Sequence, residues 1–579
     1  MKLLEALEIV KKGNLQKSEG TEFFLACGFT PLHLQTFLAA QLQLLLPQRR
    51  IELQTGLYGD LLGNISSLIK GTAEAAAVVI EWQDLDPRLG IRRLGGWGPA
   101  KLPEILENLR AQTERIRQAI EATTAKVSLA ISLPTLPLPP LSSPPGWRAS
   151  AFEFALRGCL DSLGAELAQD ARVRVLNPQR LDALSSPSER LDVKSEVVNG
   201  FPYRLHHTSV LAELLARLIQ NPQPRKGLVT DLDDTLWSGI LGEVGLEGIS
   251  WDLDHHSHIH GLYQQMLRTL AEEGVLIGVA SKNDPALVNG ALQKKNLILG
   301  RDQIFPVEAH WGPKSESLHR ILKAWNVGAE SVVFIDDSPL DLAEVKAAFP
   351  EIECVAFPKD DPQAAYQLFE TLRDLFGKQT VSEEDSIRLE SLRRASALRE
   401  QNQGATHSTD SFLEQAGAHL TLNYKKLPPD PRALDLVNKT NQFNLNGRRF
   451  TDVSWLRYLN DPDSFTVLAA YEDKFGPLGK IAVLAGREEG RVLLIDIWVM
   501  SCRAFSRRIE HSLIDHLFDR FPCEEIAFEF AAMPRNGPIQ DFFAGFLGQP
   551  LSPRLRLSRK LFMEKRPPLF IDVKEIGNG

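Results

Sequence analysis

Short apolar runs alternate along this chain with amphipathic stretches of helical period, a pattern that predicts buried strands covered by helices. Near the start, Phe23-Phe24-Leu25-Ala26-Cys27 reads as a strand and Leu34 to Leu45 as a helix, while Ile51-Glu52-Leu53, Ala76 to Ile80 and Val127 to Ile131 read as further strands. This alternation predicts an α/β domain over residues 1–220. Met1 to Gly13 carries Glu5 and Glu8 inside its apolar pattern, so it predicts an amphipathic helix and not a signal peptide. Pro134, Pro137, Pro139, Pro140, Pro144 and Pro145 exclude regular helix or central strand from Ser132 to Pro145 and predict an extended surface loop. Asn221-Pro222-Gln223-Pro224 then separates this domain from the next.

From 221 to 376 the same alternation returns with polar residues at the strand ends. Leu228-Val229 leads into Asp231-Leu232-Asp233-Asp234-Thr235-Leu236-Trp237. Ile259, Leu262, Tyr263, Met266, Leu267 and Leu270 recur at helical spacing, Gly274 closes that helix, and Val275 to Ala280 predicts a buried strand ending at Ser281-Lys282-Asn283. Asp284-Pro285 supplies an N-cap and a proline at the first helical position. Lys314 opens a helix backed by Leu318, Ile321 and Leu322, and Val332 to Ile335 predicts a strand tipped by Asp336-Asp337. Asp341 reads as an ordinary helix-start carboxylate, and His255, His256, His258 and His260 as a flexible loop.

Ser382-Glu383-Glu384-Asp385 has capping-box character and predicts a helical connector over 377–405. Over 406–579, Leu420-Thr421-Leu422, Ser464 to Ala469, Ile481 to Leu484 and Val492 to Met500 predict strands of a third core. The last of them runs through Ser501-Cys502-Arg503-Ala504-Phe505-Ser506-Arg507-Arg508 into a helix with Ile509, Leu513, Ile514 and Leu517 on one face. A basic turn before a helix N-terminus is a possible anion cradle, and the same setting favours the thiolate of Cys502.

A chain of 579 residues exceeds one core, and the length prior gives about three or four domains. Hydrophobic content of 43% and charged content of 24% are those of a soluble globular protein. The net charge of −9 offers no general attraction to nucleic acid, and no segment is apolar and long enough to span a membrane. The five cysteines lack metal-site spacing, which predicts a reduced, cytoplasmic protein.

The chemistry sits at the strand ends. Asp-x-Asp places two carboxylates on one side of the backbone, where both can face a phosphate. Carboxylate and phosphate repel by about 4 kcal/mol per charge pair at ~4 Å and an effective dielectric near 20, so such a site needs cations. Lys314 and the hard oxygens of Asp336-Asp337, which suit Mg²⁺, meet that need. The order Asp-x-Asp-x-Thr, Ser, Lys, Asp-Asp resembles the haloacid dehalogenase-like phosphatase superfamily, with its Rossmann-like fold. The resemblance implies Asp231 as nucleophile and Asp233 as general acid and base. It implies Thr235, Ser281, Lys282, Asn283 and Lys314 around the phosphoryl group, and Mg²⁺ held by Asp231, the Asp233 carbonyl, Asp336 and Asp337.

Most of the length also resembles FkbH-like proteins, which supply glyceryl units to acyl carrier proteins in polyketide and related assembly. The matching motifs are Asp-Leu-Asp-Asp-Thr-Leu-Trp-Ser-Gly-Ile-Leu-Gly-Glu at 231–243, Ser-Lys-Asn at 281–283, Lys439-Thr440-Asn441-Gln442-Phe443-Asn444, Asp473-Lys474-Phe475-Gly476, Met500-Ser501-Cys502-Arg503 and Arg535-Asn536. This resemblance implies a glyceryl group taken from 1,3-bisphosphoglycerate on a thiol, with Cys502 as acceptor and Arg503 beside the substrate. It further implies loss of the 3-phosphate and passage of the glyceryl group to the phosphopantetheine arm of a carrier protein. It implies a GNAT-like α+β C-terminal domain, in whose pyrophosphate loop Ser506 and Arg508 would replace glycine-type residues. It also implies a decayed SGNH-hydrolase-like α/β domain at the N-terminus, in which Cys27-Gly28-Phe29-Thr30 and His206-His207 carry no assigned catalysis. In the family a Cys often precedes Ser-Lys-Asn, and this chain has Ala280 there. A phosphatase without acyl transfer, and a non-catalytic carrier-binding module, remain the alternatives.

Overall fold

The computed structural model describes residues 1–15, 20–94, 97–141, 144–378, 381, 385, 388–390, 392–393, 409–474, 476–501, 504–505, 507–548 and 551–576. The chain divides into two compact units, residues 1–222 with 451–454, and 223–450 with 455–579. Among the described residues no helix is long and apolar enough to cross a membrane.

In the first unit, β1 (Gly20–Cys27), β2 (Arg50–Thr55), β3 (Ala75–Val79), β4 (Ser128–Ser132) and β5 (Val173–Val175) form a parallel sheet in the order β2-β1-β3-β4-β5. The apolar runs that predicted β1, β3 and β4 are buried because helices pack on both faces, among them Leu32–Leu45 and Leu205–Gln220 on one side and Leu102–Thr124 and Ala151–Leu167 on the other. Beyond Ser132, which ends β4, the described residues of the proline-rich segment form no helix or strand, but it is not simply a surface loop. Thr135 and Leu141 are buried in it, and the Leu136 carbonyl accepts from Trp82 Nε1 at 2.9 Å.

The second unit holds two sheets. In the first, β6 (Gly227–Thr230), β7 (Leu276–Ser281), β8 (Ile304–Ala309), β9 (Val332–Asp336) and β10 (Glu353–Ala356) are parallel in the order β10-β9-β6-β7-β8. The chain therefore reverses direction across the sheet between β6 and β9, the position where open α/β sheets bind ligands beyond the strand C-termini. Register fixes what gathers there: Thr230 pairs with Ile335 and with Val279, so Asp231, Asp336 and Ser281 emerge side by side. Leu228 and Val333 face one core and Val229 and Phe334 the other. Gly227 and Gly278 leave room for the Trp325 indole to lie on the strands, since a Cβ at Gly278 would come within 2.8 Å of it.

The other sheet comprises β11 (Ala418–Asn423), β12 (Phe443–Asn444), β13 (Ser464–Asp473), β14 (Gly476–Glu489), β15 (Val492–Met500), β16 (Glu525–Glu529), β17 (Arg554–Ser558) and β18 (Ile571–Ile576). Its order is β17-β16-β15-β14-β13-β11-β18, with β12 paired to β15. The β15/β16 and β11/β18 steps are parallel and the remaining pairs antiparallel. The connector motif at Ser382-Glu383-Glu384 lies outside the described residues; Asp385, next to it, pairs with Lys378 at 3.1 Å and with Arg388.

Candidate active site

Five side chains from five structural elements gather beyond the C-terminal ends of β6, β7 and β9. Asp231 follows β6, Ser281 ends β7, Asp336 ends β9, Lys314 opens the helix Lys314–Trp325, and Asp341 stands in the first turn of the helix Pro339–Ala348. Lys314 Nζ lies 2.9 Å from Asp231 Oδ1, 2.5 Å from Asp336 Oδ2 and 3.5 Å from Asp341 Oδ2. Its helix start is held from the neighbouring helix, where Glu344 accepts from the amides of Lys314 at 3.2 Å and Ser315 at 3.0 Å. That carboxylate takes the place of an N-cap, which Pro313 cannot supply.

Burial dominates the electrostatics. It pushes the Asp231 carboxyl up to about 7, against the pull of Lys314, and Asp336 adds to the rise. Burial raises Asp336 as well, opposed by Lys314. It works against the Lys314 ammonium, but Asp231 and Asp336 outweigh it and hold that group above the usual lysine value. The chain thus keeps carboxylates beside a lysine in a place where each alone would lose its charge. In the metal-free protein the sign follows directly. Asp231 binds its proton more tightly folded than at its ordinary 3.8, so its contribution to stability is full below about pH 3.8 and is lost as pH rises through about 7. Asp231→Asn is expected to flatten that fall in urea-unfolding free energy; an unchanged slope between pH 4 and about 7 would refute the assignment.

One oxygen each of Asp231, Asp336 and Asp337 lies within 4.8 Å of the others, a hard-donor set that fits a divalent cation such as Mg²⁺. The Asp233 side chain is not in this set. Its Oδ1 accepts from Trp237 Nε1 at 3.1 Å and the Leu241 amide at 3.1 Å, and its Oδ2 from Asn283 Nδ2 at 2.8 Å. Three donors therefore fix the orientation of Asp233, and any part it takes in holding a cation falls to its carbonyl. Asn283 also reaches Ser281 Oγ at 3.3 Å, and Thr235 Oγ1 lies 3.5 Å from Asp337. Lys282 pairs with Asp341 at 2.6 Å. Trp237→Phe is expected to lower turnover about tenfold with little change in KM, because one of three positioning bonds is lost; steady-state kinetics on a phosphomonoester check it.

One residue that the sequence did not single out, Lys359, belongs to this site, and two sequence expectations change, for Asp341 and for the histidines His258 and His260. Asp341 is a helix-start residue, as expected, but it is buried and paired with both Lys282 and Lys314. Ser338 caps that helix, its Oγ accepting from the Asp341 amide at 3.3 Å. Lys359 bridges Asp234 at 2.9 Å and Asp337 at 2.8 Å. No local pattern marks Lys359; it arrives because β10 neighbours β9. His258 and His260 are not in a flexible loop but begin the helix His258–Glu272, and His260 is buried with Nδ1 2.9 Å from the Thr235 carbonyl.

The C-terminal motifs fall elsewhere. Cys502, Arg503 and Ser506 lie outside the described residues. Arg507 is 3.4 Å from Asp473 and Arg508 2.5 Å from Asp410, so these two arginines of the proposed anion cradle already meet carboxylates. Arg508 adopts φ +60°, a conformation that favours glycine. Asn536 is buried and donates to the carbonyls of Asn444 and Ala531 at 2.9 Å each, and Arg535 pairs with Glu330 at 3.1 Å and with Glu351. Lys439 to Gln442 and Ser501 line a cleft of about 560 Å³ together with Lys226, Leu276 and Ser331. Lys226 and Ser331 precede β6 and β9 and Leu276 opens β7, so the cleft sits at the edge of the sheet opposite Asp231. In the first unit, Cys27 is buried and its thiol is pushed up to about 12, chiefly by burial. His207 is buried between Thr135 Oγ1 and Ser185 Oγ at 3.1 and 3.0 Å, and burial brings it down to about 3.

A family model described as haloacid dehalogenase-like hydrolase matches residues 212–348. Among proteins of curated function none matches the chain significantly. The crystal structure of the N-terminal part of a Bacteroides fragilis protein, containing a phosphatase domain complexed with Mg, is similar over 66% of this chain and 100% of its own, with 17% identity and a TM-score of 0.51. An uncharacterized protein from Corynebacterium glutamicum is 15% identical over 27% of this chain and 98% of its own, with a TM-score of 0.19. The matched residues include Asp231, Ser281, Lys314, Asp336 and Asp341, and the chain therefore carries a haloacid dehalogenase-like hydrolase domain.

Proposed function

We propose that the second unit is a Mg²⁺-dependent phosphatase working through an aspartyl phosphate. The observation that carries this reading is the buried Lys314 ammonium between Asp231 and Asp336 at the β6/β9 reversal. An Asp231 oxygen attacks phosphorus and the bond from phosphorus to the ester oxygen breaks, the leaving oxygen taking a proton from Asp233. Water then attacks phosphorus, Asp233 takes its proton, and the bond between phosphorus and Asp231 breaks to release phosphate. Lys314 neutralises charge on the transferring group, and Ser281 and the amides after it face its oxygens. A divalent cation held by Asp231, Asp336 and Asp337 would supply further charge neutralisation there. The experiment is phosphate release from a panel of small phosphomonoesters with Mg²⁺ and with EDTA. Release that persists undiminished in EDTA would overturn the metal requirement.

The narrower reading is an FkbH-like role, with a phosphoglyceryl unit as substrate, Cys502 as acyl acceptor and an acyl carrier protein as recipient. The motifs at 231–243, 281–283, 439–444 and 500–503 support it. The Ser501 cleft and Asp231 are at opposite edges of a sheet whose strand β6 separates Lys226 from Asp231, about 16 Å at ~3.3 Å per residue. That separation favours a flexible carrier arm between two stations. Intact-mass analysis with 1,3-bisphosphoglycerate and Mg²⁺ is expected to show a glyceryl adduct that Cys502→Ala removes; phosphate release without any adduct favours the plain phosphatase, to which Ala280 already points.

A further inference from the structure

The cleft of about 560 Å³ at the edge of the sheet opposite Asp231 carries a charge that the phosphatase reading leaves unused. Among the described residues, seven lysines and arginines line it against three carboxylates, in a chain whose net charge is −9. Part of that charge is paired. Asp435 lies 2.9 Å from Lys439 and 3.7 Å from Arg432, and Arg535 is 3.1 Å from Glu330 and also meets Glu351. Glu353 and Asp385 reach Arg225 and Arg388 from outside the lining. Positive charge still exceeds negative, and a cleft between low-dielectric walls concentrates such a field.

Arg449 shows where the excess lies. It is exposed, and its guanidinium donates to the carbonyls of Val437 at 2.6 Å and Thr440 at 2.9 Å and to Asn441 Oδ1 at 2.7 Å. These acceptors are neutral, so they fix the side chain and leave its charge; among the described residues no carboxylate acts on it. Asn441 joins two arginines into one wall, since its Nδ2 donates at 3.2 Å to Glu330, the carboxylate that Arg535 meets. The charged groups are open to a ligand, with the side chain of Arg535 47% exposed and that of Lys439 34%. Thr440, Gln442 and Ser501 add hydroxyl and amide groups to the lining.

We infer that this cleft binds a small phosphate ester through Arg449, Arg535 and Lys439, at a second site that holds the phosphate without hydrolysing it. Guanidinium groups match phosphate oxygens in charge and in donor geometry, and the neutral polar groups suit a ligand with a hydrophilic body. The volume falls within the roughly 300–1,000 Å³ usual for small-molecule sites. The carboxylates that fit a cation lie across the sheet, so this site lacks their chemistry. A free metabolite and the phosphopantetheine arm of a protein share the ligand chemistry, and the probes separate them. The inference does not depend on the phosphatase reading.

The test is calorimetry on the full chain in EDTA, with glycerol 3-phosphate and 4′-phosphopantetheine as probes and glycerol and pantetheine as neutral controls. At least one phosphate ester is expected to bind at least tenfold more tightly than its control, and more weakly as salt rises and screens the charges. Binding of glycerol 3-phosphate identifies a free metabolite, and binding of 4′-phosphopantetheine alone identifies an arm. Arg449→Gln should cut the affinity about tenfold. Asn441→Asp, which keeps the shape and sets a carboxylate beside Arg449, should do the same, and melting curves check that both variants fold. Asp231→Asn should leave the affinity unchanged, which separates this site from the phosphatase centre. No preference for either ester over its control, full affinity in both Arg449→Gln and Asn441→Asp, or loss of binding in Asp231→Asn would overturn the proposal.

Discussion

Asp231→Asn is expected to lower phosphate release by roughly three orders of magnitude or more while leaving the fold intact. An asparagine has nearly the same shape but cannot form the acyl phosphate, so the covalent route closes. The loss should appear in kcat, because the bond made by Asp231 exists only along the reaction path and not in the substrate complex. Packing should be preserved, since Asp231 is held by its backbone, with its amide donating to the Ile335 carbonyl at 2.9 Å. The same change replaces one of the three anionic groups that fit a cation with a neutral amide, so Mg²⁺ binding weakens too. Measuring kcat at saturating Mg²⁺ separates the two effects. A variant within tenfold of wild type under those conditions would show that Asp231 is not the nucleophile.

Lys314→Met is expected to have the second largest effect, on stability as well as rate. The lysine is 3% exposed and neutralises Asp231, Asp336 and Asp341. Removing one partner of a buried ion pair costs about 3–5 kcal/mol because the remaining charge is stranded. At pH 8 without metal, the urea midpoint of the second unit should fall accordingly. At pH 5 the fall should shrink, since burial already holds Asp231 near 7 and its carboxyl can take up a proton instead. Saturating Mg²⁺ should restore part of the loss by replacing the missing positive charge. Equal destabilisation at both pH values, with no response to Mg²⁺, would mean that packing and not charge explains the lysine.

Much of this site was legible in the sequence because its residues sit at strand ends and helix starts, where local pattern is strongest. Asp231, Ser281, Lys314 and Asp336 all follow apolar runs or open periodic segments, and the structure brings them together. What escaped depends on tertiary arrangement. Lys359 reaches Asp337 because β10 lies beside β9, and the Asp341 carboxylate is buried against Lys282 and Lys314, which come from other elements. Strand β8 was missed because Pro306 argues against a strand, yet β8 is an edge strand, where proline is tolerated.

A covalent phosphoryl intermediate at Asp231 is the central step of the proposed reaction, and borohydride trapping tests it directly. Quenching the enzyme with borohydride during turnover of a phosphomonoester in Mg²⁺ reduces an aspartyl phosphate to homoserine, which peptide mass spectrometry locates. Homoserine is expected at position 231 and nowhere else. Steady phosphate release with an unmodified Asp231, or with the modification at Asp233, would contradict it.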